Sequence, residues 1–328
     1  MGPIRLIELI GLMGPIGAIL MAHVPEIRQG LSEIMGSIIT TGTFDGIHRG
    51  HVELLRTLVS EGESRGEEAV VVTFDRHPLA VIAPARAPHM LLLPEERDKR
   101  LEKYGVKVEE LHFDEKMRNL SAGDWMRQMR DRYGAKALVL GYDNTFGRDG
   151  ADLSLRDYEL LGRDNGLEVI SAPLVPGVSS SEIRKALAAG DIAAANGMLG
   201  YQWTVRGLVV HGRRMGRHLG FRTANMAVDP RLQLPAPGVY ATSVTLPDGS
   251  FTPGVTNIGV RPTFDDNGAV SIETHIPGFE GDIYGRIIGI TPVKRIRDEI
   301  RFESIPELKK RIESDIREAL EAADRPGA

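Results

Sequence analysis

The sequence predicts an α/β domain with a parallel sheet, followed by a small antiparallel β-barrel that ends in a helix. Over residues 37–200, apolar β-like stretches alternate with helical patterns, which is typical of parallel strands covered by helices on both faces. From residue 202 onward, short β-branched segments separated by Gly and Pro indicate an antiparallel sheet or small barrel. A chain of 328 residues is long enough for both domains.

The strands of the first domain are predicted from apolar, β-branched runs at residues 38–43, 69–74, 106–113, 137–140 and 167–171. Helical patterns fill the intervals at residues 51–62, 94–104, 122–133 and 154–165. A parallel sheet binds its ligands at the carboxyl ends of its strands. The polar residues that follow the first, second and fourth strands are therefore expected at one edge of the sheet.

The remaining elements follow in order. Ser179 is expected to cap a helix, and a second short helix is expected over residues 191–199. Barrel strands are predicted at residues 203–211, 238–246, 252–260, 270–276 and 283–291. Ser304 and Glu307 form a capping box for a final helix, whose apolar stripe is Leu308, Ile312, Ile316 and Leu320. This order predicts an extension over residues 1–36 and two domains over residues 37–200 and 201–328.

Composition and charge exclude several classes of protein. A net charge of −5 with 26% charged residues argues against a protein that coats nucleic acid. The absence of cysteine rules out disulfides, thiolate nucleophiles and cysteine-based metal sites, and it suits a reducing cytosol. The apolar run over residues 6–22 is interrupted by Glu8, Gly and Pro, which favours a loosely attached extension over a signal, a membrane segment or a packed helix. Met21 is an alternative start of the chain.

The first motif that could carry chemistry runs from Thr41 to His51 and has the order strand, glycine-bearing turn, helix start. Main-chain amides at a helix start favour phosphate. His48 and His51 lie three residues apart and can donate hydrogen bonds to the same anion. Two other interpretations are open: the histidines cap the helix, or they bind zinc together with Asp45. Zinc is less favoured because no fourth ligand is evident nearby.

A second glycine-rich stretch lies over residues 207–225 and carries several arginines. It is not a Walker loop, because no Gly-Lys-Ser/Thr follows. Its glycines and cations suit phosphates, and the side-chain oxygens of Thr223 and Asn225 suit magnesium. The alternative is a solvated basic turn.

The first motif reads Gly-Thr-Phe-Asp-Gly-x-His-x-Gly-His over residues 42–51 and resembles the signature of the Rossmann-like nucleotidylyltransferase superfamily. With glycine after the aspartate, it resembles the bacterial bifunctional riboflavin kinase/FMN adenylyltransferase (FAD synthetase) family. Residues 70–78, 141–147 and 178–184 resemble further segments of that family. The resemblance implies that His48 and His51 neutralise phosphate charge and that Arg184 meets ATP phosphates. It also implies nucleotide or flavin contacts at Gly42, Phe44, Asp45, Gly46, His77, Asp143, Asn144 and Ser180.

The second stretch resembles the riboflavin kinase motif of the same family, as do residues 254–264 and 271–276. The resemblance implies that Thr223 and Asn225 serve magnesium and ATP, and that Glu273 is the base that deprotonates riboflavin. Strand alternation puts Glu273 on the face of Ser271 and His275, away from the apolar face. Further ligand contacts are implied at Gly207, Gly212, Gly216, Arg217, Gly220, Phe221, Asn257 and Arg297.

The resemblance implies a cytoplasmic enzyme that uses ATP and Mg²⁺ to convert riboflavin to FMN and FMN to FAD, without nucleic-acid or membrane partners. Three departures from the family pattern bear on this expectation. Arg222 replaces a usual proline, Asn144 stands where many relatives have an aromatic residue, and Pro277-Gly278 replaces a segment that usually carries an acidic residue. Two alternatives therefore stay open: the scaffold retains only one activity, or it is a non-catalytic flavin-binding regulator.

Overall fold

The computed structural model describes residues 36–142, 144–212, 220–260 and 270–323. The predicted extension with Met21 lies outside these ranges, as do the predicted contacts of Asp143, Gly216 and Arg217. Contacts divide the chain into two compact units. Among the described residues, the sheet unit comprises residues 36–44, Gly50–Pro88 and Pro94–Val175, and the barrel unit comprises Asp45–Arg49, His89–Leu93 and residues 176–323. The domain boundary near residue 200 stays a prediction.

The sheet unit is built on a parallel sheet in the order β3-β2-β1-β4-β5. Its strands are β1 Ser37–Thr41, β2 Glu68–Phe74, β3 Lys107–Leu111, β4 Ala135–Leu140 and β5 Glu168–Ser171. The helices of this half are α1 Arg49–Arg65, α2 Leu79–Ile82, α3 Pro94–Glu102, α4 Glu115–Arg118, α5 Ala122–Tyr133 and α6 Leu155–Asp164. The predicted parallel α/β class is confirmed.

The core of the sheet unit explains why these segments fold as they do. Every residue of β1 is buried, so both faces of this strand are covered. The apolar face of α5, including Trp125 and Met126, packs into one cluster with Ile39 and Val72. A capping box between Ser121 and Asp124 starts this helix.

The barrel unit contains a closed antiparallel barrel in the order β10-β7-β6-β11-β8-β9. Its elements are α7 Ser180–Ala189, α8 Ile192–Leu199, β6 Val205–Val210, β7 Thr223–Ala227, β8 Gly238–Thr245, β9 Phe251–Val260, β10 Val270–His275, β11 Ile287–Arg297 and α9 Ile305–Ala323. Leucines and isoleucines of α7 and α8 share one core cluster with the buried Trp203 and Tyr240. The predicted barrel with a C-terminal helix is confirmed.

Two barrel strands differ from the sequence prediction. Strand β7 was not predicted, because its five residues, Thr-Ala-Asn-Met-Ala, carry little β-branched character. Strand β11 starts at Ile287 instead of residue 283. A turn at Gly285, whose φ is 70°, precedes it, and the Gly285 amide donates to the Val209 carbonyl.

Candidate functional site

The turn that follows β1 holds two bulky residues in backbone conformations that L-residues rarely adopt. Phe44 has a φ of 48° and Ile47 a φ of 38°, on either side of Gly46 at 84°. Such conformations are costly and persist only where the surroundings fix them. The side chains of Phe44 and Ile47 are each 1% exposed, so burial anchors both strained positions. A Cβ on Gly46 would stand 2.8 Å from the Leu91 side chain, and a φ of 84° is itself unfavourable for a residue with a Cβ.

Asp45, at the centre of the motif, is buried and contacts several segments of the barrel unit. Its Oδ1 accepts hydrogen bonds from the main-chain amides of Leu91 at 2.8 Å and Leu92 at 3.1 Å. Its Oδ2 forms an ion pair with Arg184. Burial raises the pKa of Asp45, although the Arg184 charge and the two amides oppose this shift. Asp45 therefore joins three segments of the chain that are distant in sequence.

The structure brings Ser180 and Arg184 together with Asp45. The Ser180 hydroxyl donates to the Asp45 carbonyl oxygen at 2.8 Å, and Arg184 Nε donates to the His89 carbonyl oxygen at 2.7 Å. The guanidinium predicted to meet ATP phosphates is thus engaged by a carboxylate and a carbonyl. Its contact with ATP stays a prediction.

Within the sheet unit, predicted site residues lie where the strands end. Asn144 follows β4 and donates its side-chain amide to the Thr41 carbonyl oxygen at 2.6 Å, at the end of β1. The Gly42 amide donates to the Val72 carbonyl oxygen of β2 at 3.2 Å. His77 follows β2, and its Nδ1 accepts a hydrogen bond from the Leu79 amide at 3.1 Å. Asn144 therefore has a structural contact with the end of β1 that is made by its side-chain amide.

The two histidines of the motif have different surroundings. His48 belongs to the barrel unit and is 6% exposed. His51 lies in the first turn of α1 and is half-buried, with its ring centroid 5.1 Å from that of Phe44. Their predicted contacts with phosphate stay predictions.

The contacts of two charged clusters in the sheet unit were not predicted from the sequence. Arg97 of α3 is 6% exposed, and its guanidinium donates to the Phe74 carbonyl oxygen at 2.8 Å. Asp75 accepts hydrogen bonds from His112 at 2.7 Å and from Arg76. Arg97 and Arg76 stand in charged or polar runs, and sequence alone does not distinguish such arginines from solvated ones.

The predicted base and metal ligands of the barrel unit lie on neighbouring strands. Glu273 on β10 pairs with Asn225 on β7 and with Asn257 on β9. Side chains at paired positions share one face of a sheet. Ile272, on the opposite face, is 1% exposed and Glu273 is half-buried, which agrees with the alternation in the sequence. The next outward position of β10, His275, pairs with Thr223.

A cavity of about 320 Å³ opens beside this row. In the part of the chain that the structure describes, its lining includes Gly212, Thr223 and Asn225 but not Glu273. The loop of residues 279–284 forms another wall. Gly212 is required here, because an added Cβ would meet the Asn225 side chain at 2.4 Å. Hydroxyl and amide oxygens at this wall suit a hard cation whose remaining ligands come from phosphate.

Other predicted ligand contacts of the barrel unit have structural partners. Arg297 forms a buried ion pair with Asp315 of α9 through Nη2 at 2.8 Å and Nε at 3.0 Å. The Phe221 ring meets His275 edge-on at 5.7 Å. A Cβ at Gly207 would stand 2.6 Å from the Ala227 carbonyl oxygen of the adjacent strand. Gly220 has a φ of 90°, at the start of the approach to β7. Ligand binding at these positions stays a prediction.

Comparison with known proteins matches each half of the chain to a separate family model. Residues 31–184 match FAD synthetase and residues 199–323 match riboflavin kinase. A bifunctional riboflavin kinase/FMN adenylyltransferase of Pseudomonas fluorescens is 36% identical over 292 residues, with 87% of this chain and 92% of the relative covered. The protein with that description from Bacillus subtilis is 33% identical, with 87% of this chain and 92% of the relative covered.

A solved structure from Streptococcus pneumoniae, titled macrolide-efflux protein, has the same fold with a TM-score of 0.76. It is 31% identical and covers 86% of this chain and 92% of its own. Among the described residues, no helix has both the length and the apolar character needed to span a membrane.

The parallel sheet and the closed barrel, each matched by its own flavin-related family model, define a two-domain flavin nucleotide enzyme. The sequence relatives extend over nearly the full length of both halves. The chain belongs to the bifunctional riboflavin kinase/FMN adenylyltransferase family.

Proposed function

We propose that the chain catalyses two consecutive reactions in the cytoplasm: phosphorylation of riboflavin by ATP to give FMN, and transfer of AMP from ATP to FMN to give FAD and pyrophosphate. Membership of the family supports both activities. The observation that carries the kinase half is the row Asn225, Glu273 and Asn257 on adjacent strands beside the cavity.

In the kinase reaction, Glu273 is the general base. The terminal hydroxyl of riboflavin loses its proton as it attacks the γ-phosphate of ATP, and a carboxylate within hydrogen-bond reach accepts that proton. Thr223 and Asn225 hold Mg²⁺, whose charge is balanced by ATP phosphates. The neutral oxygens of this pair fit such a shared ion. In the described residues, no cluster of three or more His, Asp or Glu side chains forms a metal site of its own.

In the adenylylation reaction, a phosphate oxygen of FMN attacks the α-phosphorus of ATP and pyrophosphate leaves. Such a transfer depends mainly on position and charge neutralisation. His48 and His51 donate hydrogen bonds to the phosphates, and the turn from Gly42 to Gly46 supplies main-chain amides. Asp143 and Asn144 lie on the flavin side. Arg184 contacts ATP while Asp45 fixes one edge of its guanidinium.

The test is incubation with riboflavin, ATP and Mg²⁺, followed by chromatographic separation of the flavins. We expect FMN to form first and FAD to accumulate after it. Alanine at both His48 and His51 is expected to reduce FAD formation from supplied FMN by at least about 100-fold while riboflavin phosphorylation continues. FAD formation that survives the double change would refute the assignment of these histidines.

The same experiment discriminates the alternatives. A protein that forms FMN but no FAD, or FAD only from supplied FMN, retains one activity. Flavin binding without ATP turnover identifies a regulator. The Asn144 contact with Thr41 gives this departure from the family pattern a structural use and favours retained activity.

A further inference from the structure

Arg97 stands out among the charges of the sheet unit because it is buried in a charged run. Helix α3 reads Pro-Glu-Glu-Arg-Asp-Lys-Arg-Leu-Glu, and Lys99 within it is exposed. Arg97 is 6% exposed. Buried arginine is unfavourable unless its charge and its donors are satisfied. The contacts of Arg97 must therefore balance its charge and satisfy its N–H donors.

The guanidinium of Arg97 reaches four acceptors. Nε donates to Asp98 Oδ1 at 2.8 Å and Nη2 to Glu110 Oε2 at 3.0 Å. Nη1 donates to the Phe74 carbonyl oxygen at 2.8 Å and, in a longer contact, to the Thr43 carbonyl oxygen at 3.5 Å. The carboxylates balance the charge, and the rigid fork of the guanidinium is what allows the carbonyls to be held at the same time.

The two carbonyls lie where adjacent parallel strands end. Phe74 is the last residue of β2, and Thr43 follows β1 by two residues. The Thr43 carbonyl shares a rigid peptide plane with the amide of Phe44, the first strained residue of the turn. A donor that fixes this carbonyl also fixes the direction of the amide opposite. Arg97 thus contacts the backbone at the start of the strained turn, from a helix remote in sequence.

We propose that Arg97 is a positioning residue for adenylyl transfer, which holds the carbonyl ends of β1 and β2 and so orients the turn after Thr43. The inference rests on the proposed function. Arg97 acts through the main chain and touches no substrate. Charge balance alone would be met by lysine. Contacting both carboxylates and both carbonyls at once requires the guanidinium, because the single ammonium nitrogen of lysine has three N–H donors for these four acceptors.

Arg97→Lys separates these two roles, and Lys99→Gln on the same helix is the matched control. We expect Arg97→Lys to lower kcat for FAD formation from FMN at least about tenfold, because small misplacements of reacting groups have large effects on rate. Riboflavin phosphorylation by the same preparation is expected to stay within about twofold, since it depends on the barrel. Lys99→Gln should leave both activities near those of the unchanged protein.

A second measurement does not need activity. Amide hydrogen exchange of peptides covering residues 42–49 is expected to be faster in Arg97→Lys than in Lys99→Gln, with the barrel strands unchanged. The inference is overturned if Arg97→Lys forms FAD at the unaltered rate, if both activities fall together with the folded fraction, or if exchange in the turn is unaffected. Absence of FAD formation in the unchanged protein would count against the proposed function alone, because exchange still tests Arg97.

Discussion

The turn after β1 and the outer face of β10 carry the two proposed active sites, and they are held in different ways. At the turn, the backbone is strained at Phe44 and Ile47, and Asp45 pairs with Arg184 under burial. On β10, Glu273 is half-buried in an extended strand and its cross-strand neighbours, Asn225 and Asn257, are neutral amides. The turn is held by side-chain contacts to a strained backbone, whereas β10 positions its residues through regular main-chain pairing with β7 and β9.

This difference predicts two patterns of mutational sensitivity. At the turn, a residue that touches no substrate can still alter the reaction, because it holds a backbone conformation that is unfavourable in isolation. On the barrel face, the largest effects should come from the residues that touch substrate.

Glu273→Gln tests direct chemistry on the barrel face. The amide cannot accept the riboflavin proton, so riboflavin phosphorylation should fall by about 10²–10⁴-fold. The main-chain pairing of β10 is unchanged in this variant, so its unfolding temperature should equal that of the unchanged protein. FAD formation from supplied FMN is the internal control and is expected to persist. Phosphorylation at an undiminished rate would remove Glu273 from the base role.

Asp45→Asn tests indirect support at the turn. The change leaves the largely buried Arg184 without its counter-charge, and breaking a buried pair in this way costs about 3–5 kcal/mol. We expect a lower unfolding temperature of the barrel unit and a higher KM for ATP in FAD formation. The measurements are differential scanning calorimetry and initial rates.

The control for Asp45→Asn is Glu182→Gln, which breaks an exposed ion pair with Lys185 on the helix that carries Arg184. An exposed pair contributes at most about 1 kcal/mol, so this variant should resemble the unchanged protein. Equal effects of the two substitutions would contradict a special role for the buried pair.

Much of the fold could be predicted from the sequence, because its signals are local. Apolar runs located β1, β2 and β4, and Ser179 caps α7 as predicted. Strand β7 is not predicted, because its short sequence has weak β character. Tertiary pairing with β10 and β6 makes it a strand.

The supporting contacts of the candidate sites could not be predicted. Asp45 and Arg184 are separated by 139 residues, and no local sequence pattern predicts their pairing. Arg97 looks like any cation of a solvated helix until its burial is known. Family motifs identified the residues proposed to touch ligands, whereas the residues that hold the backbone beneath them are defined by packing.

Asn144→Ala tests a smaller support of the turn. It removes the hydrogen bond to the Thr41 carbonyl, and a typical intramolecular hydrogen bond contributes about 1 kcal/mol. We expect FAD formation to fall by roughly fivefold, the kinetic equivalent of that energy, with riboflavin phosphorylation unchanged. Initial rates with FMN as substrate measure the effect. Thr145→Ala, at the exposed neighbouring position, is the control, and equal rates in both variants would contradict the prediction.

The smallest expected effect concerns Asp75, which follows β2 and forms an ion pair with Arg76. Burial alone would raise the pKa of Asp75, but hydrogen bonds from Arg76, the Phe113 amide and His112 outweigh it and lower the pKa. The unfolded chain, with an ordinary aspartate pKa of about 3.9, therefore binds the proton more readily than the folded chain. Ionised Asp75 therefore stabilises the folded state fully at a pH above the unfolded pKa. This stabilisation is lost as the pH falls through the lowered pKa of the folded state.

Asp75→Asn should therefore destabilise the sheet unit by at most about 1 kcal/mol near neutral pH, and by progressively less as the pH falls below about 4. Urea unfolding measures this difference in a Trp203→Phe background, where Trp125 in the core of the sheet unit is the one remaining tryptophan. A difference that does not change with pH would mean that Asp75 supports the loop by shape and not by charge. The residues that support the strained turn through charge would then be Asp45 and Arg97, which are themselves buried.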